Sequence, residues 1–511
     1  MITRYSIIPL ASILLLTACG ADHHSPTKNS HRHLKPSPRA TTVEDFKDIE
    51  QEENTEAYVD YGINPFVLAN QDKLSTFSID VDTASYTIAR RKLNEGHLPP
   101  FESVRVEEFI NYFDYNYAPP SVEPFSVHTE VMVDPFRADR HIFSVGLQGK
   151  EIDPVDRPAL RLTFLVDVSG SMNSVDKLPL AKKAMHLLVD TLREDDSISL
   201  VTYASGSEVI LQPTYGDKKQ QIHDAIDRLN AAGSTAMSSG MDLAYQMAWK
   251  SFKQGAENRV VVLSDGDANV GKTSWQDMLK QIKGYADRGV TMSTIGLGMG
   301  NYKDSNMEQL ANKGDGNNYY VDSFEQARRI FVDGFNQTMF TIARDVKIQV
   351  EFNPAYVHSY RLIGYENRDI ADQDFRNDRV DAGEVGAGHN VTALYELILH
   401  ENTAKGLQSK DMSVIRVRYE PPGADTSATE RVWSHSIDNI QRQGSAQIQL
   451  AYCVSAFGEI LRRSPYAATI SMEKLIAYAE RGIPAGKDQQ ELLGLMRKAK
   501  GLGVEDVISQ K

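Results

Sequence analysis

The sequence predicts an α/β protein: a mostly parallel sheet with helices on both faces, flanked by a small α+β domain and a later β-then-helical domain. Three observations carry that expectation. Between 159 and 340, apolar runs at 162–166, 198–203, 259–264, 290–297 and 318–321 are each followed by helical periodicity. Such alternation marks parallel strands buried on both sides by helices. From 341 the period drops to two, with alternation over 346–352, 359–365, 393–399 and 413–419, and helical spacing at 445–462, 471–481 and 488–500 closes the chain.

The elements follow in order. Residues 1–18 carry one positive side chain, Arg4, then an apolar stretch from Ile7 to Leu16 that is too short to span a bilayer. With Leu16-Thr17-Ala18-Cys19 it resembles a bacterial lipoprotein signal peptide. The resemblance implies cleavage before Cys19, acylation (including palmitate) of that residue, and anchoring through several chains. By the same resemblance, Gly20 rather than Asp after the cysteine favours the outer membrane over the inner, with the protein facing the periplasm. With Cys19 acylated, Cys453 has no partner and is expected as a buried, inert thiol. Residues 19–60 are polar, basic in the first half and acidic from Glu44, and read as a disordered tether spanning roughly 35 Å root-mean-square. Its His23, His24, His31 and His33 are expected as solvated linker residues.

Residues 61–150 form the α+β domain. Here 78–82 reads as a strand entering a helix capped by Asp82 or Thr83, with a second helix near 106–113 and strands at 125–131 and 142–147. Asp80 and Asp82 are candidates for a cation site, but capping accounts for Asp82. In the 159–340 region the expected helices lie near 176–193, 217–229, 237–253, 274–288, 305–312 and 323–337.

Composition bounds the function. A net charge of −14 with no basic face argues against nucleic acid. At 511 residues, about three domains are expected.

Five oxygen-bearing side chains sit at loop ends of the α/β region: Asp167, Ser169, Ser171, Thr235 and Asp265. The first three form Asp167-Val168-Ser169-Gly170-Ser171 directly after the first apolar run, Asp265 ends the third, and Thr235 lies in the Gly233-Ser234-Thr235 turn before a helix. Ligands of such sheets bind at the carboxyl ends of strands. Hydroxyls and carboxylates alone suit a small, hard ion, Mg2+ before Ca2+ or Mn2+.

The pattern resembles the metal-ion-dependent adhesion site (MIDAS) of von Willebrand factor type A domains, whose sheet is Rossmann-like. The resemblance implies Ser169, Ser171 and Thr235 as ligands, with Asp167 and Asp265 direct or water-bridged. It also implies an open coordination position filled by a partner protein's Asp or Glu. The order of segments is similar to a bacterial family of such lipoproteins, with a short N-terminal domain, the type A domain at 159–340 and a C-terminal domain of unknown function at 341–511.

A rival motif occupies the same loop. Gly266-Asp267-Ala268-Asn269-Val270-Gly271-Lys272-Thr273 matches the phosphate-binding loop and lies between strand and helix. Asp265 and Asp267 oppose a triphosphate there, and 290–296 offers no magnesium-holding Asp. No Gly-x-Ser-x-Gly elbow is present. His389 reads as a turn residue, and at least half of Trp433 and the aromatics of 112–117 as packing. The expected function is therefore non-enzymatic: a lipid-anchored envelope protein capturing a protein partner through Mg2+. The alternatives are a metal-braced assembly protein and, behind it, an envelope metal-dependent or nucleotide-binding enzyme.

Overall fold

The computed structural model describes residues 56–266, 274–298, 302–400, 411–422, 427–436 and 440–504. Cys19 with its signal, the tether up to 55 and residues 267–273 of the phosphate-loop motif lie outside the described residues. The described residues belong to one compact unit.

The N-terminal segment contains β1 (Val67–Leu68), β2 (Leu74–Ser78), α1 (Ala84–Asn94), α2 (Val106–Asn111), β3 (Phe125–Val133) and β4 (His141–Gly149). The α/β region follows: β5 (Leu160–Asp167), α3 (Leu178–Thr191), β6 (Ser197–Tyr203), β7 (Ser207–Tyr215), α4 (Lys219–Asp227), α5 (Met237–Ser251) and β8 (Glu257–Ser264). It continues with α6 (Trp275–Ala286), β9 (Thr291–Leu297), α7 (Asp304–Lys313), β10 (Asn318–Val321), α8 (Phe324–Arg328) and α9 (Phe335–Met339). Its sheet runs β10-β9-β8-β5-β6-β7, parallel except for β7 at one edge.

Every residue of β5 and β6 is buried, which is why these strands read as continuous apolar runs. Leu162, Phe164 and Val166 face a core shared with α3 and α4, whereas Leu165 faces one shared with α5, α6 and α7. β7 was not expected. It is an edge strand, largely uncovered and interrupted by Pro213, so it lacks the apolar signal of its neighbours.

The remaining chain forms β11 (Thr341–Phe352), β12 (Val357–Ile363), β13 (Gly383–Gly386), β14 (Asn390–Leu399), β15 (Asp411–Glu420), β16 (Thr429–Ser436) and β17 (Ile440–Gln441). Helices α10 (Ala446–Leu461), α11 (Met472–Gly482) and α12 (Lys487–Gly501) complete it. The segments before and after the α/β region interleave. One sheet runs β1-β12-β14-β4-β3-β17, and in the other β2 pairs with β11 beside β13, β15 and β16. The reason lies in β4, which is buried almost throughout and needs a neighbour on each side. β3 supplies one and β14 the other. The boundaries at 150 and 341 thus mark chain order rather than separate sheets.

An apolar core built on Phe143, Val350, Tyr395 and Val417 lies between these two sheets. Helices α1, α2 and α10–α12 cover the other face of the longer sheet through Met132, Ile142, Ile363 and Leu394. Cys453 is buried in α10, and burial pushes its thiol up, keeping it neutral. Tyr112, Phe113 and Tyr115 are buried with it. His389 is a turn residue as expected: its Nδ1 accepts the Gly386 N–H at 3.0 Å, and burial lowers its pKa to about 4.

Candidate metal centre at the carboxyl edge of the parallel sheet

Asp167 ends β5, and Asp265 follows the last residue of the adjacent parallel strand β8. Parallel register therefore delivers both carboxylates to the same rim, and both residues are fully buried. The Asp167 carboxylate accepts the Ser169 N–H at 2.8 Å on one oxygen and the Ser264 hydroxyl at 3.1 Å on the other. Burial pushes its pKa up to about 6, against the opposing bonds from Ser169. Ser169 and Ser171 bring their Oγ atoms within 3.0 Å of each other across a single turn.

The loop that carries Thr235 is tied to the group through backbone bonds just ahead of that residue. Gly170 N–H donates to the Gly233 carbonyl at 2.9 Å, and Ala232 N–H to the Val168 carbonyl at 2.7 Å. These bonds zip the Asp-x-Ser-x-Ser loop to the Thr235 loop just before α5. Gly233 permits the approach. Its φ is +86°, and a Cβ would fall 2.5 Å from Ser205 Oγ. The structure thus places Asp167, Ser169 and Ser171 in direct contact, Asp265 on the neighbouring strand end and Thr235 on the loop tied to them. Among the described residues no group of three or more His, Cys, Asp or Glu is arranged to hold a metal. An ion at this rim depends on hydroxyls, and the donor set fits a hard divalent cation.

Sequence reasoning missed Lys177. Its ammonium lies 3.2 Å from Asp265 Oδ2, its side chain is buried, and its stem packs where a Cβ on Gly298 would overlap it. A single lysine ahead of a helix carries no signature of this role. Ser264, beside Asp265, was a findable partner, because a strand-end hydroxyl next to a site carboxylate has few other places to donate.

Asp82 requires a correction. The cap of α1 is Thr83, with no side-chain hydrogen bond. Asp82 instead accepts the Asn318 N–H at 2.8 Å and Arg368 at 3.1 Å, while Asp80 accepts Arg368 at 3.2 Å. The free N–H of β10 and a buried guanidinium outcompete the helix end for that carboxylate. The cation beside this aspartate pair is an arginine. Of the phosphate-loop motif only Gly266 is described. It lies against the Lys303 backbone, and its N–H donates to Ser264 Oγ at 3.0 Å.

Family models match along the chain: von Willebrand factor over 52–144, von Willebrand factor type A domain over 162–333, and YfbK C-terminal over 337–502. The protein YfbK of Escherichia coli K12 is 37 % identical over 475 residues, covering 88 % of this chain and 82 % of that one. The chain belongs to the YfbK family. Its central region carries the von Willebrand A fold that the resemblance implied, on the parallel sheet that the strand alternation predicted. More distantly, inter-alpha-trypsin inhibitor heavy chain H2 of Mus musculus is 26 % identical over 157 residues, 29 % of this chain and 16 % of that one. A solved von Willebrand factor type A structure from Catenulispora acidiphila covers 78 % of this chain and 90 % of its own, at 16 % identity and a TM-score of 0.43.

Proposed function

We propose that this YfbK-family protein is a non-enzymatic, Mg2+-dependent protein-capture module, held at the outer membrane through acylated Cys19 and facing the periplasm. The observation that carries the reading is the hydroxyl-rich rim, where two loops are zipped together around buried Asp167. Ser169, Ser171 and Thr235 would hold the ion, with Asp167 and Asp265 direct or through water. Once bound, the ion supplies an electrophilic position that a partner's Asp or Glu completes. Neutral hydroxyls leave most of its charge available to that carboxylate. Both Asp167 oxygens already accept hydrogen bonds, and the Lys177 ammonium faces Asp265. Neither group is poised to take a proton from a substrate, which supports capture over catalysis.

A cleft of about 880 Å3, lined by Arg90, Arg329, Asp322 and Asp176, the last lying five residues beyond Ser171, gives an incoming segment room to pass. The test is capture of envelope proteins by crosslinking, with and without chelator. Asp167→Ala is expected to stay folded and to lose the chelator-sensitive partners. Equal recovery by wild type, chelated wild type and the variant sinks the reading.

A further inference from the structure

Helices α3 and α4 each carry a histidine followed four residues later by an aspartate: His186 and Asp190 on one, His223 and Asp227 on the other. The two pairs cross. His186 Nε2 lies 3.2 Å from Asp227 Oδ1, and His223 Nε2 lies 3.3 Å from Asp190 Oδ1. The remaining ring nitrogens, the two Nδ1 atoms, face each other at 2.7 Å, with ring centroids 4.9 Å apart.

Proton bookkeeping makes this arrangement informative. A ring nitrogen opposite a carboxylate carries the N–H, so each Nε2 is the protonated position and each Nδ1 of a neutral ring presents a lone pair. Two lone pairs at 2.7 Å repel unless a cation lies between them. A carboxylate on the far nitrogen is also the arrangement that orients metal-binding histidines and raises their basicity. Both rings are reachable from solvent, with side-chain exposures of 30 % and 22 %. A cavity of about 360 Å3 runs from Met172 and Asn173 of the rim loop to His186 and Asp227.

We propose that His186 and His223 form a second metal site, separate from the oxygen-lined rim, that binds a borderline-soft divalent cation, Zn2+ first, through their Nδ1 atoms. Imidazole pairs suit zinc, whereas the rim suits magnesium. Tetrahedral coordination at Zn–N distances of about 2.0–2.1 Å needs an Nδ1 separation of roughly 3.3 Å. The part-exposed rings reach that by a small rotation. Water or a ligand entering through the cavity completes the shell.

The test is calorimetric zinc titration of the full chain with saturating Mg2+. The chain carries His23→Ala, His24→Ala, His31→Ala and His33→Ala, so that the N-terminal histidines do not compete. One zinc equivalent is expected, and it should persist when Asp167→Ala disables the rim. His186→Ala and His223→Ala should each remove it, with circular dichroism unchanged, and Asp227→Asn should weaken it about tenfold. Zinc anomalous density between the two Nδ1 atoms would place it directly. The proposal is overturned if the parent binds no zinc, which would leave a shared proton as the bridging cation. It is equally overturned if the equivalent survives loss of either histidine, or disappears in Asp167→Ala alone.

Discussion

The rim of the parallel sheet and the junction between that sheet and the flanking scaffold both bury aspartates, but they neutralise them differently. At the junction, arginines do it. Arg368 contacts Asp80, Asp82 and Glu308, Arg105 pairs with Glu108 and Asp304, and Arg90 grips Asp322 through two bonds of 2.6 and 2.8 Å. These contacts join β2, α1 and α2 to α7 and the end of β10. At the rim, Asp167 has only hydroxyl and N–H donors, and Asp265 has Lys177 nearby. A carboxylate paired with a fixed guanidinium has a counter-charge built into the fold, even where burial outweighs it, and that pairing is structural. A carboxylate left among neutral donors keeps an unmet demand for positive charge, and that demand is what a binding site uses.

The largest test of this contrast falls on the junction. Arg368→Met leaves Asp80, Asp82 and Glu308 without their shared counter-charge and should cost about 3–5 kcal/mol, read from the urea unfolding midpoint. A loss no larger than that of an exposed arginine would dissolve the distinction.

Next comes the rim itself. Lys177→Met removes the ammonium beside Asp265, so Mg2+ affinity should rise about tenfold, about 1.4 kcal/mol, by direct metal titration. Unchanged or weaker binding would mean that the lysine does not compete with the ion for that carboxylate.

The last test is a pH slope at the junction. Burial pushes Glu108 up to about 8, and Arg105 beside it only partly opposes this. The folded protein then holds a proton that the unfolded chain releases above its ordinary value of 4.5. The contribution is fully present below that value and is lost as pH rises through about 8. Stability should therefore decline across this window, and Glu108→Gln should flatten the decline. A variant with the same slope would assign the titration elsewhere.

Legibility in the sequence tracked how local each constraint was. The runs at 162–166, 198–203, 259–264, 290–297 and 318–321 all became strands because a strand buried on both faces must be apolar along its whole length. β7 escaped because an edge strand faces solvent. Asp167, Ser169 and Ser171 were readable as a local cluster because they share one strand-end loop, whereas the Thr235 loop and Asp265 reach it through backbone bonds and β5–β8 register.

Lys177, Arg368 and the crossed His186–Asp227 and His223–Asp190 pairs were not readable, since their partners lie 41 residues or more away in most cases. Pairing β4 with β14 likewise joins residues more than 200 positions apart. Alone, the sequence determined periodicity and strand-end chemistry, both set within a few residues by backbone repeat and side-chain type. Only the tertiary structure decided which charge answers which and how the two ends of the chain weave into common sheets. Burial and Coulomb attraction act through space, so residues distant along the chain become partners only once the fold brings them within a few ångströms.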